Sequence, residues 1–332
     1  MAQLVKLQDY ISRYQRDLKR YPTQFVRLKK IQWERMKTEW ETGAEVPHWE
    51  HEEDEETVEK KGWFKRIFDK KKHQELEWEE DQLELDKHED EEEEEEEQEQ
   101  EEDSSFHFEP NIVYTPQNLE DLKRMYMDQL FHFQLKWASS TLLEKSHVDP
   151  KFLRNSLLRQ FTQKLPDNYL LFYYPILQLK KAPLELDILL LTPTEAICIK
   201  VLEEENMAAF IGSGDRFWDK KVGTTEQKIL NPTIGLNRME TILTQIFKRE
   251  EIEMPIRKLI VSRNGYIDFP GSTYGFQFID KRKYPEWFTQ LKNTNSPMKH
   301  MQLKAAQAVL AMVQTTSYHR VGWEVEVEEE QS

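Results

Sequence analysis

Glu185-Leu186-Asp187 leads into an unbroken aliphatic run, Ile188-Leu189-Leu190-Leu191, then a turn at Thr192-Pro193-Thr194, and then Ile197-Cys198-Ile199-Lys200. Two short apolar runs separated by turn residues read as a pair of buried strands. In a strand, side chains at i and i+2 share a face, so Asp187 lies beside Glu185 and Lys200 beside Cys198. A hairpin-like return brings the two polar pairs together. An acid, a second acid and a lysine at such a crossing hold a hard divalent ion and orient a water for attack on a phosphodiester. In this chain the place of the second acid is taken by cysteine.

The flanking sequence extends the pattern in both directions. Asp149-Pro150 opens a helix with an N-cap followed by proline, and Phe152, Leu153, Leu157, Leu158 and Phe161 form its stripe before Pro166. Strands are predicted over 169–179, 184–191 and 196–202, with turns at Lys180-Lys181 and 192–194. A loop holding Gly212, Gly214 and Gly223 follows, and Asn231-Pro232 starts a helix reaching about residue 251. Residues 256–262 and 276–279 read as strands, 284–292 and 297–315 as helices, and 325–328 as an edge strand or a tail. Helix, three meandering strands, helix and strand make a mixed-sheet α/β plan.

This order of elements and motifs resembles the nuclease-related domain family, NERD, over residues 150–262. The acid before the aliphatic run corresponds to Asp187, the Glu-x-Lys of the next strand to Cys198-Ile199-Lys200, the tryptophan of the following loop to Trp218, and the Asn-Pro before a helix to Asn231-Pro232. The resemblance implies a restriction-endonuclease-like PD-(D/E)xK fold, a mixed sheet flanked by helices. It also implies metal-dependent DNA cleavage wherever the site is intact. Here it departs at three places: Cys198 stands for the acid of Glu-x-Lys, Gly235 for a glutamine after Asn-Pro, and Leu153-Arg154-Asn155 for a Gly-Glu near the preceding helix start. A thiol is a soft ligand poorly matched to Mg²⁺. Asp187 and Lys200 thus read either as a degenerate catalytic pair or as an ion pair at a strand end. Were Mg²⁺ or Mn²⁺ bound, Asp187 with Glu185 as a migrated ligand would hold it, and Glu195, Glu203 and Glu204 flank the next strand as further acids. Without an intact site no cofactor is expected. Cys198 has no histidine near in sequence and reads as a buried, inert thiol. Gly212-Ser213-Gly214-Asp215 lacks the context of a phosphate loop and reads as a turn.

Outside this region, residues 1–45 read as a helical arm. Leu4, Leu7, Tyr10, Ile11, Tyr14 and Leu18 form one stripe before Pro22, and Phe25, Leu28, Ile31 and Met36 continue it, extended by Trp33 and Trp40. Residues 46–105 are an acidic low-complexity linker: between Glu50 and Asp103 there are 28 acids against 8 bases, and Glu91 to Glu97 is an uninterrupted run. Such composition predicts disorder. Within it, residues 60–72 interleave lysines and Arg66 with Trp63, Phe64, Ile67 and Phe68, an interaction motif suited to a protein groove, a membrane surface, or a basic island held by its acidic flanks. A helical bridge follows over 106–149, with a strongly apolar helix at 117–144, and beyond the NERD-like domain come a helical extension, 263–320, and an acidic tail, 321–332.

Charge and cysteine usage bound the function. The formal net charge of −16 belongs to the linker; the chain from residue 104 onward carries 28 acids and 28 bases. A neutral fold gives no broad basic footprint for DNA, so DNA is a weak partner at best, through Lys220, Lys221, Lys228 and Arg238. One cysteine excludes an internal disulfide and no segment approaches a membrane span, so a cytoplasmic protein is expected. The reading that unites these features is a catalytically inactive nuclease-like module acting in binding or scaffolding, with an unknown protein partner. Its rivals are an active metal-dependent DNase using Asp187, Lys200 and a displaced glutamate, and a peripheral membrane or protein adaptor working through residues 60–72.

Overall fold

The computed structural model describes residues 1–43 and 108–319, apart from 142, 181, 205–206, 272–274, 294–295 and 317. The interaction motif with Trp63, Phe64, Ile67 and Phe68, the acidic linker and the acidic tail lie outside the described residues. The described residues within Met1–Thr38 and Phe108–Ser332 form one compact unit. In chain order its elements are β1 (Gln3–Leu7), α1 (Arg20–Thr42), α2 (Leu119–Trp137), β2 (Glu144–Lys145), α3 (Lys151–Arg154), α4 (Ser156–Lys164), β3 (Leu170–Tyr173), β4 (Ile176–Gln178) and β5 (Pro183–Glu185). Then come β6 (Ile188–Leu191), β7 (Ala196–Val201), β8 (Ala208–Ile211), β9 (Phe217–Val222), β10 (Thr225–Leu230), α5 (Pro232–Arg249), β11 (Ile256–Val261), β12 (Tyr266–Asp268), β13 (Gln277–Ile279), α6 (Tyr284–Lys292), α7 (His300–Leu310) and β14 (Tyr318–His319).

A six-stranded mixed sheet in the order β1-β3-β6-β7-β11-β13 forms the centre. Strand β6 runs antiparallel to β3 and β7, and the other contacts are parallel. Both faces are covered, so β6 and β3 are buried along their whole length, as an uninterrupted aliphatic run requires. The Tyr173 hydroxyl bonds Asn155, the N-cap of α4, at 3.1 Å. From the other side Lys258 of β11 bonds Asn237 and Glu240 of α5 at 2.9 and 2.6 Å. Thus α4 and α5 sit on opposite faces, and the alternation of β7 sends Ile197, Ile199 and Val201 toward α4 and Cys198 and Lys200 toward α5.

Several expectations are corrected. The helix read from residue 2 begins only at Arg20; residues 3–7 form a buried strand parallel to β3, with Gln3 opposite Leu170. A five-residue apolar segment fits either period, and its partner lies more than 160 residues away, so a local pattern could not choose. The strand predicted over 169–179 breaks at Tyr174-Pro175 into β3 and β4, because proline there has no donor for the ladder. The predicted strand over 184–191 likewise splits, β5 pairing with β4 while β6 enters the central sheet. The loop with Gly212, Gly214 and Gly223 is in fact most of a second sheet, β10-β9-β8-β12. Gly223 at φ +57° turns β9 into β10, a conformation that glycine adopts without cost. The helix predicted over 297–315 spans only α7; beyond it Val313 and Thr316 bridge back to Leu177 and Tyr10.

Candidate functional site

Asp187 stands immediately before β6 and Lys200 near the end of β7, and the antiparallel register that sets Leu189 against Cys198 brings them together on the α5 face. Lys200 Nζ donates to Asp187 Oδ1 at 2.7 Å. The Asp187 side chain is 9% exposed and that of Lys200 36%. A Cβ at Gly235, in the first turns of α5, would approach Asp187 Oδ2 to 3.2 Å, so the helix crowds the carboxylate from the far side. The predicted convergence of Asp187, Cys198 and Lys200 on one face is therefore present, and its product is an ion pair.

Cys198 is completely buried, paired in register with Leu189 on one side and Lys258 on the other. Burial first, and then the charges of Glu240 and Asp187, push its thiol well above the ordinary range, so it is neither a thiolate nucleophile nor an anionic ligand. Glu185 belongs to β5 in a separate two-stranded sheet, so the i, i+2 argument that set it beside Asp187 fails at the break between β5 and β6. The other predicted acids are engaged elsewhere: Glu195 with Arg257 at 2.7 Å, Glu203 in a fork with Arg263, and Glu204 with Lys220 at 2.6 Å. The acid that the geometry does bring toward Cys198 is Glu240 on α5, held at 2.6 Å by Lys258, whose ammonium also lies 4.3 Å from the Phe276 ring centroid. Its position in the middle of an amphipathic helix carried no signal of this in the sequence.

The donor set does not fit a hard divalent cation. One carboxylate, already bonded to an ammonium, and one protonated thiol are short of the oxygen ligands that Mg²⁺ requires. No group of three or more acids, histidines or cysteines suited to a metal occurs among the described residues.

The remaining motif residues form a clasp. Trp218, fully buried, donates from Nε1 to the Ser213 carbonyl at 3.1 Å. Asn231 donates from Nδ2 to the Asp215 carbonyl at 2.7 Å, and its Oδ1 accepts from the Thr233 amide at 3.0 Å and hydroxyl at 2.7 Å. With Pro232 at the first helical position, Asn231 caps α5 and ties the 213–215 turn of the second sheet to its start. The basic residues considered for DNA are largely neutralised on the same sheet: Lys220 by Glu204, Lys221 by Glu226 at 3.6 Å and Lys228 by Asp219 at 2.6 Å. Among the described residues no helix is long and apolar enough to cross a membrane.

Comparison with known proteins yields little. No family model matches the chain, and no solved structure matches it. A stretch of 70 residues, 20% of the chain, is 40% identical to an RNA 2',3'-cyclic phosphodiesterase of Geobacillus stearothermophilus, of which it covers 22%. The similarity is thus to a segment of that enzyme.

Proposed function

We propose that this chain is a nuclease-related module of restriction-endonuclease-like fold whose cutting site has become a structural ion pair, and that it acts by binding or scaffolding. The observation that carries the reading is the 2.7 Å bond between Lys200 and Asp187, made beside a buried, protonated Cys198. In a working site of this kind the lysine faces a water and the acid faces a metal; here each is the other's partner. Support for the fold comes from the order α4, the β3-β6-β7 meander, α5 and a parallel β11, and from the Trp218 and Asn231 clasp. The partner is read as a protein engaged by the segment around Trp63 and Phe64.

An active metal-dependent nuclease with a displaced glutamate is the second reading: Glu240, whose charge bears on Cys198, would have to leave Lys258 to supply the oxygen ligand that Asp187 and Cys198 lack, and an RNA end enters the test because a segment of the chain is similar to an RNA 2',3'-cyclic phosphodiesterase. Incubation of the purified chain with single- and double-stranded DNA, and with an RNA ending in a 2',3'-cyclic phosphate, in Mg²⁺ or Mn²⁺, separates the two. No turnover is expected. Cleavage that Asp187→Ala or Glu240→Gln abolishes would overturn the binding-module reading.

A further inference from the structure

Five strands of the central sheet, β1, β3, β7, β11 and β13, run in one direction against β6, so their carboxyl ends gather along one edge. Crevices beyond the carboxyl ends of strands are where open α/β sheets take ligands. A cleft of about 490 Å³ lies there, with Phe152, Tyr173 and Tyr174 on its wall and Glu185, Glu203 and Arg263 among its polar groups.

The backbone around the cleft is strained. Strands β1 and β3 end side by side, Leu7 in register with Tyr173, and the next residue of each turns left-handed: Gln8 at φ +44° and Tyr174 at φ +50°. Neither is glycine, and Tyr174 precedes Pro175, which disfavours helical conformations in the residue before it. Such strained residues cluster at ligand sites. Both residues line the cleft. Among the described residues the other non-glycine at positive φ is Glu251, just past the end of α5, where a left-handed residue is ordinary.

Charge selects the ligand. The two cations of the lining are committed: Lys151 Nζ lies 2.9 Å from Asp149, and Arg263 forks onto Glu203 and donates to Ser156 and Gln160, each at 3.1 Å. Glu185 is exposed and makes no ion pair among the described residues, and its charge acts on Lys151 less than that of Asp149 does. Burial first, and then the charges of Asp187, Glu185 and Glu203, push the Tyr174 hydroxyl up to about 12, so acids lie within reach of that ring. An unneutralised carboxylate beside aromatic rings is the chemistry that recognises an organic cation.

We propose that this cleft binds a small aliphatic amine, its ammonium held by the Glu185 carboxylate and the Tyr174 ring. The proposal does not rest on the fate of the Asp187–Lys200 pair. Full-length protein is titrated calorimetrically with 1,4-diaminobutane, with uncharged 1,4-butanediol and with adenosine monophosphate. The diamine is expected to bind, the diol not to, and Glu185→Gln, an exposed and isosteric change, to weaken the diamine about tenfold or more. Absence of diamine binding, binding indifferent to Glu185→Gln, or tighter binding of the nucleotide would overturn the proposal.

Discussion

Breaking the Asp187–Lys200 pair tests whether it is a structural bond or a surviving catalyst. At 2.7 Å, the gross attraction is about 6 kcal/mol for an effective dielectric near 20. Most of that is offset by the desolvation of Asp187, and the 36% exposure of the Lys200 side chain leaves its ammonium partly hydrated and free to turn outward when the acid is neutralised. A net coupling of about 1–2 kcal/mol is therefore expected from a double-mutant cycle of Asp187→Asn and Lys200→Met. Both substitutions keep side-chain volume, so a cavity does not enter the sum. Urea unfolding of the four proteins at pH 7 measures it, with unchanged m-values certifying that the native states are comparable. Residues kept for catalysis behave in the opposite way, since removing them tends to stabilise the fold. A coupling within about 0.3 kcal/mol of zero, or a gain in stability for either single variant, would refute the structural reading.

Lys6 is fully buried, bonding the Tyr10 carbonyl at 2.6 Å, Gln15 at 3.1 Å and Thr315 at 3.2 Å, and burial lowers its pKa from 10.5 to about 7. Between about pH 7 and 10.5 the unfolded chain holds the proton more tightly, so stability contributed at this site rises with pH through that window; Lys6→Met is expected to be least harmful near pH 6 and to lose roughly 3 kcal/mol relative to wild type by pH 10 in urea melts. Gly235→Gln, which sets at this position the glutamine of the family the sequence resembles, drives its Cβ against Asp187 Oδ2 and is expected to cost about 1–2 kcal/mol while conferring no Mn²⁺-dependent DNA cleavage. Asn231→Ala removes the cap of α5 and its bond to Asp215, and a loss of about 1–2 kcal/mol in thermal or urea unfolding is expected. For residues 60–72, flotation with anionic liposomes is expected to be the same for wild type and a Trp63→Ala/Phe64→Ala variant, because glutamate-rich flanks repel the surface; lipid binding lost in the variant would make this segment a membrane anchor.

Where a local signal decides conformation, sequence and structure agree closely. Asn231-Pro232 opens α5 because a capping side chain followed by a proline at the first helical position solves the same hydrogen-bond shortage in any context. Tyr284-Pro285 through Lys292 forms α6 over the predicted range, and the aliphatic run 188–191 is a buried central strand. That Asp187 and Lys200 can meet was also legible, since side-chain alternation in two strands joined by a short turn determines which residues share a face; that they form an ion pair was one of two readings.

What failed depended on partners distant in the chain or on a break within it. Strand β1 looks like part of an amphipathic helix until β3 is there to pair with it. Glu185 seemed to share a face with Asp187, but that inference needs one continuous strand, and Tyr174-Pro175 and the β5–β6 break divide the segment between two sheets. The approach of Glu240 to Cys198 and the cleft bounded by Gln8, Tyr174 and Arg263 draw on five separate stretches of chain. By itself the sequence determined the mixed α/β class and the order of helix, strands β6 and β7, α5 and β11, and it placed Asp187 and Lys200 within reach of each other without deciding between an ion pair and a catalytic pair, because period and turn chemistry are local properties. Only the tertiary structure decided that the first strand enters the central sheet, that Cys198 is sealed beneath α5, and which acids are left unneutralised, because burial and ion pairing depend on neighbours that the chain supplies from afar.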